Sequence, residues 1–137
     1  MSSTSSANAL KAGVVSFFNN DRIYVEIADT EALRAQGLMH RNHLSENDGM
    51  LFVYADQGIR GVWMKNTLLA LDVLFLSEDG KIVSILKNLP PCQQINCPVY
   101  SSKQKARYML EVNAGFIDRH NIQLGQTVLM DYQHEKQ

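Results

Sequence analysis

The stretch DVLFLSEDGKIVSILK, residues 72–87, places two β-favouring runs on either side of a turn-forming Glu-Asp-Gly. Apolar runs joined in this way are typical of a β-hairpin. Similar short runs occur at residues 14–18, 23–28, 50–54, 61–66, 108–113 and 127–131. We therefore expect strands along the whole chain, with a hairpin at its start and a β-meander in its middle.

Two short segments favour a helix, residues 31–38 and 115–121. Asp29 or Thr30 can cap the first of them, and Gly37 indicates its end. Many short strands with one or two short helices predict an α+β fold that is mostly antiparallel. We expect a small curled or barrel-like sheet, because curling or closure avoids unpaired edges.

The length and composition predict one domain. The 137 residues are enough to bury a core, and 45% hydrophobic with 20% charged residues is usual for a globular protein. The expected organisation is a flexible polar N-terminus over residues 1–13, a single globular domain over 14–132 and a tail over 133–137.

The charge balance gives no reason to expect a polyanionic partner. Thirteen Lys and Arg residues face fourteen Asp and Glu residues, a net charge of −1, so we predict no nucleic-acid binding. The longest apolar stretch, residues 68–76, is too short for a transmembrane segment. The first twelve residues lack the apolar run of a signal peptide. We expect a periplasmic or exported protein if a signal peptide precedes this sequence in the native protein, and a cytoplasmic one otherwise.

The two cysteines, Cys92 and Cys97, lie in a proline-flanked segment that reads as a loop. Four intervening residues would let the sulfurs meet, but two reduced thiols fit the sequence equally well. The four histidines are scattered and the methionines do not cluster, so we predict no metal site and no cofactor.

Charged residues interrupt two apolar strands. Asp72 lies within the run 68–76, and Glu111 lies within 108–113. An ionised carboxylate among apolar neighbours is costly unless it is paired, and Arg41 and Lys65 are the candidate counter-ions for Asp72. A buried ion pair is the commoner explanation of such a residue, and a general acid or base is the alternative.

The segment Trp63-Met64-Lys65-Asn66-Thr67 holds the densest mixture of residue types. If the strand continues through it, Trp63, Lys65 and Thr67 share one side. Trp63 is then either a core residue along which Lys65 reaches water, or part of a binding surface.

Several ordered blocks between about residues 20 and 130 resemble the bacterial and archaeal domain-of-unknown-function family 192. The blocks are residues 37–41, Leu44, 49–52, 63–67, 71–72, 91–92, 97–98, Tyr100, 110–115 and Gly125. The resemblance implies a small β-rich fold without an agreed activity, a bacterial envelope protein and a Cys92–Cys97 bridge. The positions to which it points are Arg41, Trp63, Lys65, Asn66, Asp72 and Glu111.

Our leading hypothesis is a non-catalytic binding module in which these six side chains line one cleft for a small polar ligand or a peptide. The first alternative is a hydrolase in which Asp72 and Glu111 act as a carboxylate pair and Lys65 stabilises negative charge. The second alternative is a structural or partner-binding envelope protein whose buried charges form internal ion pairs.

Overall fold

The computed structural model describes residues 11–133, which form nine strands and two short helices. The strands are β1 (Lys11–Ser16), β2 (Arg22–Ala28), β3 (Asp48–Gly58), β4 (Gly61–Trp63), β5 (Leu71–Leu76), β6 (Ile82–Leu89), β7 (Val99–Ser101), β8 (Ala106–Asn113) and β9 (Leu129–Tyr132). The helices are α1 (Glu31–Gln36) and α2 (Phe116–Arg119). Of the predicted flexible N-terminus, residues 1–10 lie outside the described range and residues 11–13 belong to β1; of the predicted tail, only Gln133 is described.

Seven strands form one mixed sheet in the order β6-β5-β8-β3-β2-β1-β9, and β4 pairs with β7 in a small second sheet. Within the large sheet β2 and β3 run parallel, and the other neighbouring pairs are antiparallel. The predicted α+β fold is confirmed. The sheet is not closed into a barrel, although backbone hydrogen bonds from the segment before β9 reach Gly80 and Ile82 at the start of the opposite edge.

The strand connections confirm one part of the predicted order and correct another. The hairpins β1–β2 and β5–β6 form as expected, and Gly80 adopts the positive φ of 83° that the second turn requires. The predicted meander is wrong, because β8 lies between β3 and β5. Strand β4 is not part of the large sheet and pairs with β7 instead. The second neighbour of β5, besides β6, is the apolar strand β8.

Apolar side chains cover both faces of the large sheet, because residues alternate along each strand. In β5, Leu74 and Leu76 enter one cluster, which we call the first core, and Val73 and Phe75 enter the other, the second core. Helix α2 closes the first core with Phe116. The second core is covered by residues near α1 and by the small sheet.

Two backbone features shape the surroundings of the second core. The Thr30 hydroxyl accepts a hydrogen bond from the Leu33 amide at 3.1 Å and caps α1, which ends before Gly37. The strand predicted over residues 61–66 ends at Trp63, because Asn66 has a φ of 58° that no strand accommodates. Neither helix in residues 11–133 has the length and apolar character needed to cross a membrane.

Candidate functional site

A cavity of about 220 Å³ lies on the second-core side of the large sheet, between α1, the sheet and the segment that follows β4. We call it the Glu111 cavity. Its polar lining comes from different elements, and its apolar lining includes Phe52 and Met109. The polar or aromatic side chains of the lining include Arg34, Tyr54, Trp63, Thr67 and Glu111.

Glu111 projects from β8 towards the second core, because it pairs in register with Met50 of β3 and Val73 of β5. It is only 6% exposed, and no side chain or backbone donor in the described part of the chain forms a hydrogen bond with its carboxyl group. Burial raises the pKa of Glu111 from 4.5 to about 8, since nothing compensates the loss of water around the charged form. At neutral pH this carboxyl group is therefore mostly protonated.

Tyr54 and Arg34 form another side of the cavity. The Arg34 guanidinium carbon lies 4.9 Å from the centre of the Tyr54 ring, and its Nη1 donates to the Val53 carbonyl oxygen at 2.9 Å. Arg60 also stacks on Tyr54, at 3.9 Å. Burial raises the pKa of Tyr54; the two guanidinium groups oppose this shift and the charge of Glu111 adds to it, so these groups share one electrostatic environment.

Trp63, the last residue of β4, stands at the opening of the cavity. Its side chain lines the cavity while the residue remains 51% exposed. The indole Nε1 donates to the Cys97 carbonyl oxygen at 3.2 Å. A ligand entering the cavity would therefore meet an aromatic surface that is already fixed in orientation.

The loop between the two cysteines holds the wall of the cavity in place. Cys92 and Cys97 form a disulfide bond, with an S–S distance of 2.06 Å, so the implied bridge is confirmed. The Lys65 ammonium group donates to the Gln94 carbonyl oxygen, and the Asn66 amide donates to the Cys92 carbonyl oxygen. Lys65 and Asn66 thus fasten this loop to the segment after β4, and neither lines the cavity.

Asp72 has a structural role on the other face of the sheet. It is 1% exposed, and its carboxylate accepts three backbone hydrogen bonds, from Asn88 at 2.9 Å, Gly115 at 3.0 Å and Ile117 at 2.9 Å. The expectation that Arg41 or Lys65 pairs with Asp72 is wrong, because backbone amides at the end of β6 and the start of α2 compensate the charge instead.

Arg41 pairs with Glu26. Its guanidinium group binds both carboxylate oxygens of Glu26, at 2.7 and 2.6 Å. These hydrogen bonds lower the pKa of Glu26 and raise the pKa of Arg41. Arg41 does not line the Glu111 cavity.

The two carboxylates proposed as an acid and base point to opposite faces of the sheet. Asp72 pairs in register with Val112, a first-core residue, whereas Glu111 pairs with Val73, a second-core residue. Cross-strand partners share a face and successive residues alternate, so the sheet itself separates the two groups. The carboxylate-pair arrangement is therefore wrong.

Of the six predicted site residues, the structure brings Trp63 and Glu111 together at one cavity. Sequence reasoning missed the contributions of Arg34 and Tyr54. The alternation of residues 50–54 placed Tyr54 on the same face as Met50, which was a usable signal. Nothing in the sequence indicated that Arg34 of α1 would lie over this face.

Comparison with known proteins places the chain in a family. The pattern of DUF192, described as "Uncharacterized ACR", matches residues 14–130. The chain belongs to the DUF192 family. The DUF192 match includes the strands that carry Glu111 and Trp63.

Two solved structures share the fold of this DUF192 chain. A protein from Sinorhizobium meliloti, provisionally described as a transcription regulator, is 30% identical, with a TM-score of 0.80 over 93% of this chain and 98% of that one. A protein of unknown function from Novosphingobium aromaticivorans is 25% identical, with a TM-score of 0.76 over 94% and 99%. A search of curated proteins gave no match.

Metal-binding side chains do not gather in the region that the structure describes. Between residues 11 and 133, no three His, Cys, Asp or Glu side chains cluster as metal ligands would. The groups that line the Glu111 cavity are one buried acid, its aromatic and cationic neighbours, and apolar side chains.

Proposed function

We propose that this protein is a non-catalytic binding module, and that the Glu111 cavity receives a small polar ligand. The observation that carries the proposal is the carboxyl group of Glu111, a residue that is only 6% exposed, which lines the cavity and forms no hydrogen bond with a described residue. A carboxyl group that faces a mostly apolar cavity without a protein donor has hydrogen-bonding capacity left for a partner that arrives from outside.

The walls of the cavity support the same proposal. Phe52 and Met109 offer apolar contacts, while Trp63 offers an exposed ring at the opening. Mostly apolar pockets with a few polar groups are typical of small-molecule sites, in which the polar groups fix the orientation of the ligand. A volume of about 220 Å³ suits a compact ligand rather than a folded partner.

The two alternative functions have less support. The hydrolase hypothesis requires Asp72 beside Glu111 as a carboxylate pair, and Asp72 lies across the sheet from Glu111. Internal pairing explains Arg41, and backbone amides explain Asp72, but neither accounts for Glu111. The net charge of −1 gives no support for extending the regulator description of the Sinorhizobium protein to DNA binding by this chain.

The disulfide favours an oxidising compartment such as the bacterial envelope as the working location. Disulfides persist in such compartments and are rare in the cytosol. Fractionation of cells that express the native gene tests this part: recovery in the cytoplasmic fraction with free thiols would contradict it.

The sole tryptophan of the sequence makes the binding proposal directly testable. A library of small polar compounds should contain members that change Trp63 fluorescence and raise the melting temperature. Ala35 of α1 lines the cavity, so Ala35→Phe should block it and abolish both responses.

Ala32→Phe is the matched control, because Ala32 is exposed on the same helix and does not line the cavity. This variant should bind as the wild type does. Compounds that bind Ala35→Phe and the wild type equally well would show that the ligand site lies elsewhere, and a library without any binder would overturn the proposed function.

A further inference from the structure

Glu111 lacks a counter-ion on every side that the structure describes. The titratable or charged groups that share its cavity are Arg34 from α1 and Tyr54 from β3. Its cross-strand partners on β3 and β5 are Met50 and Val73, which carry no charge. The segment after β4 contributes Thr67, and Lys65 there is bound to Gln94.

The nearby guanidinium groups are already engaged. Arg34 donates to the Val53 carbonyl oxygen and stacks on Tyr54. Arg60, on the same ring, donates to the Ala106 carbonyl oxygen and pairs with Asp56 at 3.1 Å. Neither group forms an ion pair with Glu111, so a cation for this carboxylate has to come from outside the described chain.

The remaining lining suits an aliphatic cation. Phe52, Met39 and Met109 can contact an apolar body, and the exposed ring of Trp63 can attract a positive charge on its way in. A carboxylate that is hydrogen-bonded to an ammonium group in a water-poor cavity forms a stronger pair than the same groups do in water.

Building on the proposed function, we propose that the Glu111 cavity binds the protonated amine of a small aliphatic ligand, which donates hydrogen bonds to the Glu111 carboxylate. When the ligand binds, the O–H bond of the protonated Glu111 breaks, its proton passes to the solvent, and an N–H of the alkylammonium ion donates a hydrogen bond to the carboxylate that remains. No electrons move and no covalent bond to the ligand forms.

Three probes with similar aliphatic bodies test the charge of the ligand: n-pentylamine, pentanamide and pentanoate. Pentylamine should bind, as measured by Trp63 fluorescence and calorimetry, and should bind more tightly than the other two. Since Glu111 has a pKa of about 8, the affinity should rise about tenfold for each pH unit from pH 6 to pH 8 and then level off. Calorimetry in buffers of different ionisation enthalpy should show the release of about one proton below pH 7.

Glu111→Gln supplies the variant test. Glutamine imitates the neutral carboxyl group, so the fold should be retained, while pentylamine affinity should fall by more than about tenfold and lose its dependence on pH. Circular dichroism confirms folding of the variant. An unchanged affinity for pentylamine in Glu111→Gln would overturn the amine proposal.

The same series separates this proposal from the proposed function. Tighter binding of pentanamide or pentanoate, abolished by Ala35→Phe, would overturn the amine class and leave the cavity as a ligand site. Absence of pentylamine binding at pH 8.5 would also overturn the amine class. Whether the cavity binds any small polar ligand is decided separately by the library screen. Nα-acetyl-lysine amide carries a free ε-ammonium group in a peptide-like setting; tighter binding of this probe than of pentylamine would overturn a small free amine as the ligand and assign the amine to a lysine side chain of a protein partner.

Discussion

Asp72 and Glu111 lie on neighbouring strands and are both almost fully buried, but they differ in their hydrogen-bond partners. Asp72 accepts three backbone hydrogen bonds, which compensate its charge. Glu111 has no such donor among residues 11–133, and its pKa rises to about 8. Asp72 thus connects β5 with the end of β6 and the start of α2, whereas Glu111 faces the cavity without a protein donor.

We expect Asp72→Ala to lower the free energy of unfolding by about 3 kcal/mol, because one buried and two part-buried backbone amides lose their acceptor. Asp118→Asn, on the helix α2 that donates to Asp72 through Ile117, is the control, since the ion pair of Asp118 with Lys87 is exposed and should contribute little. Urea unfolding measures both. If the two variants lose similar stability, the anchoring role of Asp72 is wrong.

Sequence reasoning identified both carboxylates, because each interrupts an apolar strand. It could not identify what surrounds them. The donors to Asp72 are the backbone amides of Asn88, Gly115 and Ile117. Every residue except proline has such an amide, so the residue types do not indicate which ones bind Asp72. The opposite orientation of the two carboxylates depends on the pairing of β5 with β8, which the sequence alone did not reveal.

The segment 63–67, which contributes Trp63 and Thr67 to the cavity wall, is held to the loop 92–97 by hydrogen bonds. Trp63, Lys65 and Asn66 each form a hydrogen bond with that loop. The sequence predicted most strands and both helices near their observed positions. It missed the end of β4, where Asn66 adopts a positive φ, although asparagine is among the residues that accept this conformation most readily.

We expect the double variant Cys92→Ser/Cys97→Ser to lose about 2 kcal/mol of stability, the amount that closing so short a loop provides. The emission of Trp63 should shift to longer wavelength, because its anchoring contact at Cys97 becomes mobile. Fluorescence and urea unfolding measure the two effects. Reduced wild-type protein is the control and should behave as the double variant does; an emission spectrum identical to that of the oxidised protein would contradict the coupling of loop and wall.

The free energy of unfolding of the protein should depend on pH through the titration of Glu111. Its pKa in the folded protein, about 8, lies above the unfolded value of 4.5. The stabilising contribution is therefore complete below pH 4.5 and is lost as the pH rises towards 8, because the unfolded chain releases the proton first. Between pH 5 and pH 8 the loss should be about 3 kcal/mol.

Glu111→Gln should remove this loss, so that the difference in unfolding free energy between variant and wild type grows with pH. Glu46→Gln, at an exposed glutamate, is the control and should follow the wild type. Urea unfolding at pH 5 and pH 8 provides the measurement. The same pH slope in the wild type and in Glu111→Gln would show that Glu111 titrates normally.

The fold class followed from strand-like periodicity and turn residues, and the structure confirms it. The strand order did not follow, because the insertion of β8 between β3 and β5 depends on which apolar faces fit together. The cavity depends in turn on that order, since β8 carries Glu111 and β3 carries Tyr54. An incorrect order therefore concealed the site even though two of its residues had been selected.

The pairing of β1 with β9 joins the first and last strands of the described chain. Contacts between residues so distant in sequence require a long loop to close before they contribute, which slows folding. On a ribosome, β1 can pair with β2 early, but its other edge stays unpaired until β9, near the end of the domain, has been synthesised. We therefore expect refolding on the millisecond to second timescale, and a nascent chain that exposes strand edges during synthesis and benefits from chaperones.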